Sequence, residues 1–416
     1  MSSNLKDGFS LNPNKLHVSN SFEQNEFLVM NTYKFQNKPI VSLPHHATVF
    51  PNYTDKIVYS ANPINVNAFV HASRVELNIP ARSNDVLMSA PWLIVRISET
   101  NGDNVSCAPF HLWFDRIEVM SRGQIINTYC GDDLYFYNLA IENDKEEREI
   151  TDVYGNVATN TIAAFATAKY MIKLPFNVNQ EIFLHGLVND IKFVFYTRNC
   201  VESGSGVIAC NELSLVFNHK HLHTNDRIVY ANTYDNHALM RNVCECLPLR
   251  FSIPLTQSQK TKFSLRQLGG HSFSHLVIQV TVGSSNASIA LATFSKLHGT
   301  GSNIELISPN NNVLLLNGYN MQDCDYYRSI VPLQSKVNSL KYFIDNNSYL
   351  IAFSKDLMEA HDGFHNSSLY IQPTEEYSLE ITPYNAFGSN IACNVNVLAY
   401  IHKKVFIANG DLHTQL

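Results

Sequence analysis

Charge is the scarcest feature of this 416-residue sequence: Asp, Glu, Lys and Arg together make up 16%, against about 25% in ordinary soluble proteins. A chain so poor in charge has less surface to solvate, which points to an outside partly buried against other copies of itself. The 30 Lys and Arg against 36 Asp and Glu leave a net charge of −6. No segment is basic, and the N-terminal stretch carries only Lys6 and Lys15 among its Asn and Ser. Reading a nucleic-acid backbone takes clustered Lys and Arg, so no direct nucleic-acid binding is expected. No run approaches the roughly 18 apolar residues of a transmembrane segment. The opening MSSNLKDGFSLNPNK has no apolar core, so no signal peptide is expected either. The eight cysteines (Cys107, Cys130, Cys200, Cys210, Cys244, Cys246, Cys324 and Cys393) lack the CxxC pairs of zinc sites. Without secretion they should remain free thiols in a reducing cytosol. On the same ground the five Asn-x-Ser/Thr sequons, at Asn52, Asn104, Asn286, Asn346 and Asn366, should be unmodified. SGSG (203–206) and GTGS (299–302) are not followed by GK[ST], so they read as flexible loop tips rather than phosphate loops. No Ser-His-Asp arrangement is recognisable.

What the chain does have is strand-forming material. It contains 20 Tyr and 24 Phe, with Val, Ile and Thr throughout, and Asn crowds the turns. Residues 1–56 mix short apolar pieces with Asn, Pro and His and read as an arm. RVELNIP (74–80) alternates and closes on a proline that cannot donate to a ladder. PWLIVRISE (91–99) reads as a strand buried on both faces. HLWFDRIEVMS (111–121) and QIINTYC (124–130), joined at Arg122-Gly123, read as a hairpin. GDDLYFYNLAIENDKEERE (131–149) predicts a helix capped by Asp132 or Asp133. Its charge run ENDKEERE (142–149) reads as a solvated helix end, with a contact between assembled units as the minority reading. Short strands continue to residue 222.

After a polar, turn-rich stretch the pattern restarts. RFSIPL (250–255) echoes RVELNIP, and HLVIQVTV (275–282) echoes 91–99. SNIELIS (302–308) with VLLLNGY (313–319) echoes the hairpin. Each hairpin is followed by an acidic-aromatic cluster: Asp132, Asp133, Tyr135 and Tyr137, then Asp323, Asp325, Tyr326 and Tyr327. A repeat of roughly 170–190 residues is far longer than the roughly 20–50 of a solenoid. It fits an all-β chain of two tandem eight-stranded antiparallel jelly rolls, with short helices in loops. The expected divisions are an N-terminal arm over 1–56, a first jelly roll over 57–225, a linker over 226–246, a second jelly roll over 247–410 and a C-terminal tail over 411–416.

In this order the segments resemble the double jelly-roll major capsid proteins of eukaryotic DNA viruses, a family spanning giant viruses, virophages, polinton-like elements and, more distantly, adenoviruses. RVELNIPARSNDVLMSAPWLIVRI resembles their first strands, and WFDRIEVMSRGQIINTYCGDDLYFYNL the following hairpin and acidic-aromatic helix. KLPFNVNQEIFLHGLVNDIKFVFY resembles their LPF…L…DI stretch, and the segment from HNSSLYIQP to KKVFIANGD their closing strands. The giant-virus form usually turns its first hairpin on Gly-Gly, where this chain has Arg122-Gly123. The resemblance implies a homotrimeric capsomer in a virion, with six jelly rolls giving a pseudo-hexagonal footprint in an icosahedral shell. It implies contacts with neighbouring capsomers, penton and minor capsid proteins, and an inner membrane or layer. Synthesis in the host cytoplasm follows from the missing signal peptide.

Other chemistry is thinner. His219, His221 and His223 alternate on one strand face, where three imidazoles could meet a metal or sense pH. The surroundings lack the Gly spacing and distant Glu of a metal-binding cupin, so a polar strand face is the favoured reading. Cys244 and Cys246 stand two apart, where a disulfide would be strained; Cys200 and Cys210 flank a loop that a disulfide could clip. HDGFH (361–365) reads as a turn. No catalytic residue, cofactor or metal is therefore assigned, and the chain is not expected to be an enzyme. The alternative reading is a double β-sandwich adhesin or carbohydrate- or receptor-binding protein, which would need exposed aromatic platforms and usually a signal peptide. A two-domain copper monooxygenase would need His and Met ligands in both halves, with secretion.

Overall fold

Period-two alternation turns these segments into sheets with one face inward. In SRVELNI, Val75, Leu77 and Ile79 are buried while Arg74 and Asn78 face outward. The computed structural model describes residues 53–62, 64–81, 85–87, 90–138, 160–176, 182–222, 228, 241–255, 260–282, 303–309, 313–315, 348–353, 368–382, 391–408 and 410–415. The first half runs β1 (Tyr53–Ser60), β2 (Ser73–Ile79), β3 (Asp85–Leu87), β4 (Trp92–Glu99), β5 (Val105–Cys107), β6 (Phe114–Ser121), β7 (Gln124–Tyr129), α1 (Gly131–Phe136), β8 (Asn160–Ile162), β9 (Thr167–Lys173), β10 (Ile182–Phe183), β11 (Ile191–Thr197), β12 (Val201–Gly204) and β13 (Ile208–His221). The second runs β14 (Arg241–Leu255), β15 (Thr261–Ser264), β16 (Ser272–Val282), β17 (Asn303–Ile307), β18 (Val313–Leu315), β19 (Ser348–Ala352), β20 (Leu369–Tyr370), β21 (Ser378–Thr382), β22 (Ile391–Ala408) and β23 (Asp411–Gln415).

The sheet orders show the repeat directly. One sheet of the first half runs β1–β13–β4–β9 and the other β2–β11–β6–β7. The second half gives β14–β22–β16–β19 and β15–β21–β17–β18. Position for position the two lists are the same, with every pairing antiparallel. These orders are the shared paths of a six-stranded and a four-stranded sheet in each half, with β3 and β10 extending the larger sheet of the first half and β20 and β23 that of the second; two halves built on one order make a double jelly roll. The predicted match of 116–120 with 303–307 holds, since β6 and β17 occupy the same place. The match of RVELNIP with RFSIPL does not. RFSIPL lies in β14, whose counterpart is β1, while the counterpart of β2 is β15. The shared Ile-Pro ending has two unrelated causes: Pro80 follows the end of β2, whereas Pro254 stands inside β14, at a sheet edge. Pro248 and Pro254 are six apart, so both present their missing N–H on the same side of a strand that, among the described residues, pairs only with β22.

Other expected boundaries also move. Residues 53–56 already belong to β1, residues 241–246 to β14, and Asp411–Gln415 form β23 against the end of β22. The rest of the expected arm lies outside the described residues. The β6–β7 hairpin turns at Arg122 and Gly123, with φ of 48° and 79°, the paired left-handed residues of a type I′ turn. The helix is short: it spans Gly131–Phe136, and 139–159 lie outside the described residues.

The core of the first half is aromatic. Trp113 is fully buried, donates its indole N–H to the Ala108 carbonyl at 2.8 Å, and packs against Phe69, Phe110 and Tyr170 with ring centroids 4.5–5.3 Å away. Replacing Trp113 by Ala should cost about 3–5 kcal/mol, read from the urea midpoint of the far-UV signal. A loss below about 1 kcal/mol would show that this cluster does not hold the roll together.

Candidate functional site: the seam between the two rolls

The short helix α1 gathers the acidic-aromatic cluster after the first hairpin and presents it to the second roll. Its N-cap position is Cys130, with no side-chain cap, so neither Asp132 nor Asp133 caps it. Asp133 is instead buried and accepts a hydrogen bond from the Tyr400 hydroxyl on β22 at 2.8 Å. The Tyr400 ring stacks on His275 of β16, with centroids 4.1 Å apart and planes 11° from parallel. The His275 Nδ1 lies 2.7 Å from the Ser274 hydroxyl. Cys130, Phe136 and Tyr137 from the first roll close round this bond with Cys246, Val277, Leu350 and Leu398 from the second. Burial raises the Asp133 carboxyl to about 7; the Tyr400 bond opposes the rise, and Glu245 and Asp132 add to it. Burial likewise holds the Tyr400 phenol well above its ordinary value.

Two further contacts cross between the halves. Glu245 on β14 accepts the Thr128 N–H at 3.1 Å and pairs with the buried Lys403 ammonium at 2.6 Å. The β22–β23 hairpin docks on the first roll. Asp411, itself buried, takes Arg122 at 3.2 Å and the Asn189 amide at 2.6 Å. The Leu412 N–H reaches the Ser121 hydroxyl at 3.3 Å, and Leu412 and Val405 join the first roll's core. Gly410 makes the approach feasible. Its φ is +79°, its carbonyl accepts the Val188 N–H at 2.6 Å, and a Cβ there would meet Val188 Cγ2 at 2.3 Å.

A second polar device ties loops at one end of the first roll. Glu99, at the end of β4 and only 3% exposed, receives backbone N–H groups from Phe165, Asn101, Gly102 and Val207. Burial works against its charge, but those four donors outweigh it and hold the carboxyl down at about 2. The clamp props up Phe165, which is 74% exposed with φ +55°. A non-glycine residue held in that region marks a conformation imposed by its surroundings.

Of the residues singled out from sequence, His219 is buried on β13, 3.2 Å from the Tyr59 hydroxyl, and its ring lies 6.4 Å from that of His221. His223 lies outside the described residues, as do HDGFH, GTGS, ENDKEERE and the cluster Asp323 to Tyr327. Among the described residues no three His, Cys, Asp or Glu side chains group as metal ligands. Cys107, Cys130, Cys200 and Cys210 are buried and form no disulfide, and Cys246 is buried; Cys244 lies on β14 opposite His402. SGSG is pinned by Ser205, whose hydroxyl bonds Asp103 at 2.9 Å and whose carbonyl takes the Asn101 amide at 2.8 Å. Sequence reasoning missed Tyr400 and Glu99. It passed over one usable signal, Asn409-Gly410 between alternating segments, which is a hairpin signature.

No protein-family model matches the sequence, and no curated protein matches it. Solved structures do. VP54 of PBCV-1, fitted into a reconstruction of the virophage Sputnik, is similar over 89% of this chain and 98% of its own, with 12% identity and a TM-score of 0.63. A chain of the Sputnik virophage structure is similar over 91% of this chain and 92% of its own, with 10% identity and a TM-score of 0.56. The Faustovirus major capsid protein gives 92% and 97%, 10% identity and a TM-score of 0.56. At such identities the likeness is one of fold. This chain has the double jelly-roll fold along nearly its whole length.

The seam makes a pH-dependent prediction. Between the ordinary Asp value of 3.8 and about 7, the folded chain keeps a proton on Asp133 that the unfolded chain has released. Stability from this group is therefore greatest at low pH, falls as pH rises through that window, and is level above it. Asp133→Asn keeps an acceptor for Tyr400 and removes the titration. Its stability relative to the parent should rise between pH 5 and pH 8 by an amount on the order of 2 kcal/mol, measured by urea unfolding at both values. An equal difference at the two pH values would contradict the buried carboxyl.

Proposed function

We propose that this chain is a capsid subunit, and that three copies form a pseudo-hexagonal capsomer of an icosahedral shell. The observation that carries the reading is the pair of jelly rolls with one strand order, joined through a buried seam. Two rolls held at a fixed angle are two sides of a hexagon. Three copies supply six rolls around an axis, alternating first and second, and such a ring tiles a surface without changing its fold. The likeness to VP54, the Sputnik chain and the Faustovirus major capsid protein supports the same reading.

On this reading the chain is structural rather than catalytic. Its divisions are an arm before β1, a first roll from β1 to β13, a turn-rich link, and a second roll from β14 to β23. Its place is the virion, after synthesis in the host cytoplasm. Its partners are first its own copies, through obligate interfaces of about 2,000–5,000 Å², then penton and minor capsid proteins and an inner membrane or layer. The low share of charge suits extensive self-contact. Among the described residues no helix is long and apolar enough to cross a membrane.

Light scattering at micromolar concentration should give three chains per particle. Deleting residues 1–35 should weaken growth of hexagonal arrays more than it weakens the trimer. A stable monomer at that concentration would remove the capsomer reading.

A further inference from the structure

Two of the eight cysteines are placed as a pair. Cys107 ends β5 and Cys200 precedes β12, neighbouring strands of the small sheet β12–β5–β8. The ladder sets Cys107 opposite Val201, and the Ala108 N–H reaches the Cys200 carbonyl at 2.8 Å. The two sulfurs lie 3.9 Å apart, with the Cys200 thiol donating to Cys107. Both side chains are buried, at 0% and 1% exposure. Cys210, a third buried thiol in this half, is engaged elsewhere and donates to the Glu212 carbonyl at 3.6 Å.

We propose that Cys107 and Cys200 are a disulfide-forming pair that closes when the protein meets a hydroperoxide. Two sulfurs already in contact need only side-chain rotation to approach the bonding distance of about 2.05 Å. Burial favours a small neutral oxidant over a bulky one. The way in is β12, whose Glu202, Ser203 and Gly204 are exposed; a short strand at a sheet edge opens locally at little cost. The hydrogen bond from Cys200 pulls the Cys107 thiol below its ordinary range while burial opposes it, which makes Cys107 the attacking sulfur. Its thiolate attacks one peroxide oxygen and breaks the O–O bond. Cys107 becomes the sulfenic acid, and the leaving hydroxide takes up a proton as water. The Cys200 sulfur then displaces the sulfenic hydroxyl, forming the S–S bond and releasing a second water. Two thiols and one peroxide give one disulfide and two waters.

The bond would join residues 93 apart in sequence and staple β5 to β12. The loops beside these strands are the ones Glu99 gathers, through Asn101, Gly102 and Val207. A covalent link and a carboxylate clamp would then hold the same end of the first roll. The proposal rests on the thiol geometry and stands apart from the capsid reading.

The test uses the purified full-length chain under native conditions. Reduced protein is exposed to stoichiometric hydrogen peroxide, then denatured, alkylated and mapped by mass spectrometry. The titratable thiols should fall from eight to six, with a peptide linking Cys107 to Cys200. The melting temperature should rise by roughly 5 °C, since long loops closed by a disulfide are stabilised most. Cys200→Ala should abolish both the two-thiol loss and the rise. Should that variant not fold, the peptide map of the unaltered chain decides alone. Retention of eight thiols, a link to a different cysteine, or sulfinic acid at either position without a link would overturn the proposal.

Discussion

The hydrogen bond from Tyr400 to Asp133 is the contact on which the relation of the two rolls depends. It joins a helix of the first roll to a strand of the second inside an apolar seam. A polar group in such a place is expensive unless paired, and its pairing admits one geometry. Apolar packing alone, among Phe136, Val277, Leu350 and Leu398, would tolerate small slides. The phenol, fixed also by its stack on His275, does not. The same tyrosine strand continues into the hairpin that Asp411 anchors to Arg122 and Asn189. One long strand, β22, therefore serves the core of its own roll, the seam and the C-terminal dock.

On the proposed capsid reading, a ring of six rolls from three chains would fail if each chain flexed between its halves, because the six would no longer share a plane. The buried seam fixes the two halves against one another. The polar clamp at Glu99 does comparable work on a smaller scale. A single carboxylate takes N–H groups from three converging segments, beside the backbone bond from the Thr100 N–H to the Val207 carbonyl.

The two-roll architecture was legible in the sequence because it rests on local signals: alternation in RVELNIP, the turn at Arg122-Gly123, and the second hairpin echoing the first. The register of the repeat was only partly legible. RFSIPL resembles RVELNIP in composition, but strand equivalence is set by pairing partners, which composition does not encode. The seam was not legible. Asp133 looked like a helix cap because caps are local, while its partner lies 267 residues away. Glu99 closes PWLIVRISE, and nothing in the sequence places the N–H groups of Phe165 and Val207 beside it. The sequence marks 411–416 only as a tail although Asn409-Gly410 stands before it, because the short polar DLHTQ gains its strand character from β22 and the first roll.

The central claim is that the two rolls are one mechanical unit. Differential scanning calorimetry of the full-length chain against Tyr400→Phe tests it most directly. The parent should unfold in one transition whose calorimetric and van't Hoff enthalpies agree. Tyr400→Phe strands the buried Asp133 carboxyl without its donor, and should split that transition into two or broaden it, with the van't Hoff value falling below the calorimetric one. Two resolved transitions in the parent, unchanged in the variant, would show that the rolls unfold independently and that the seam does not join them.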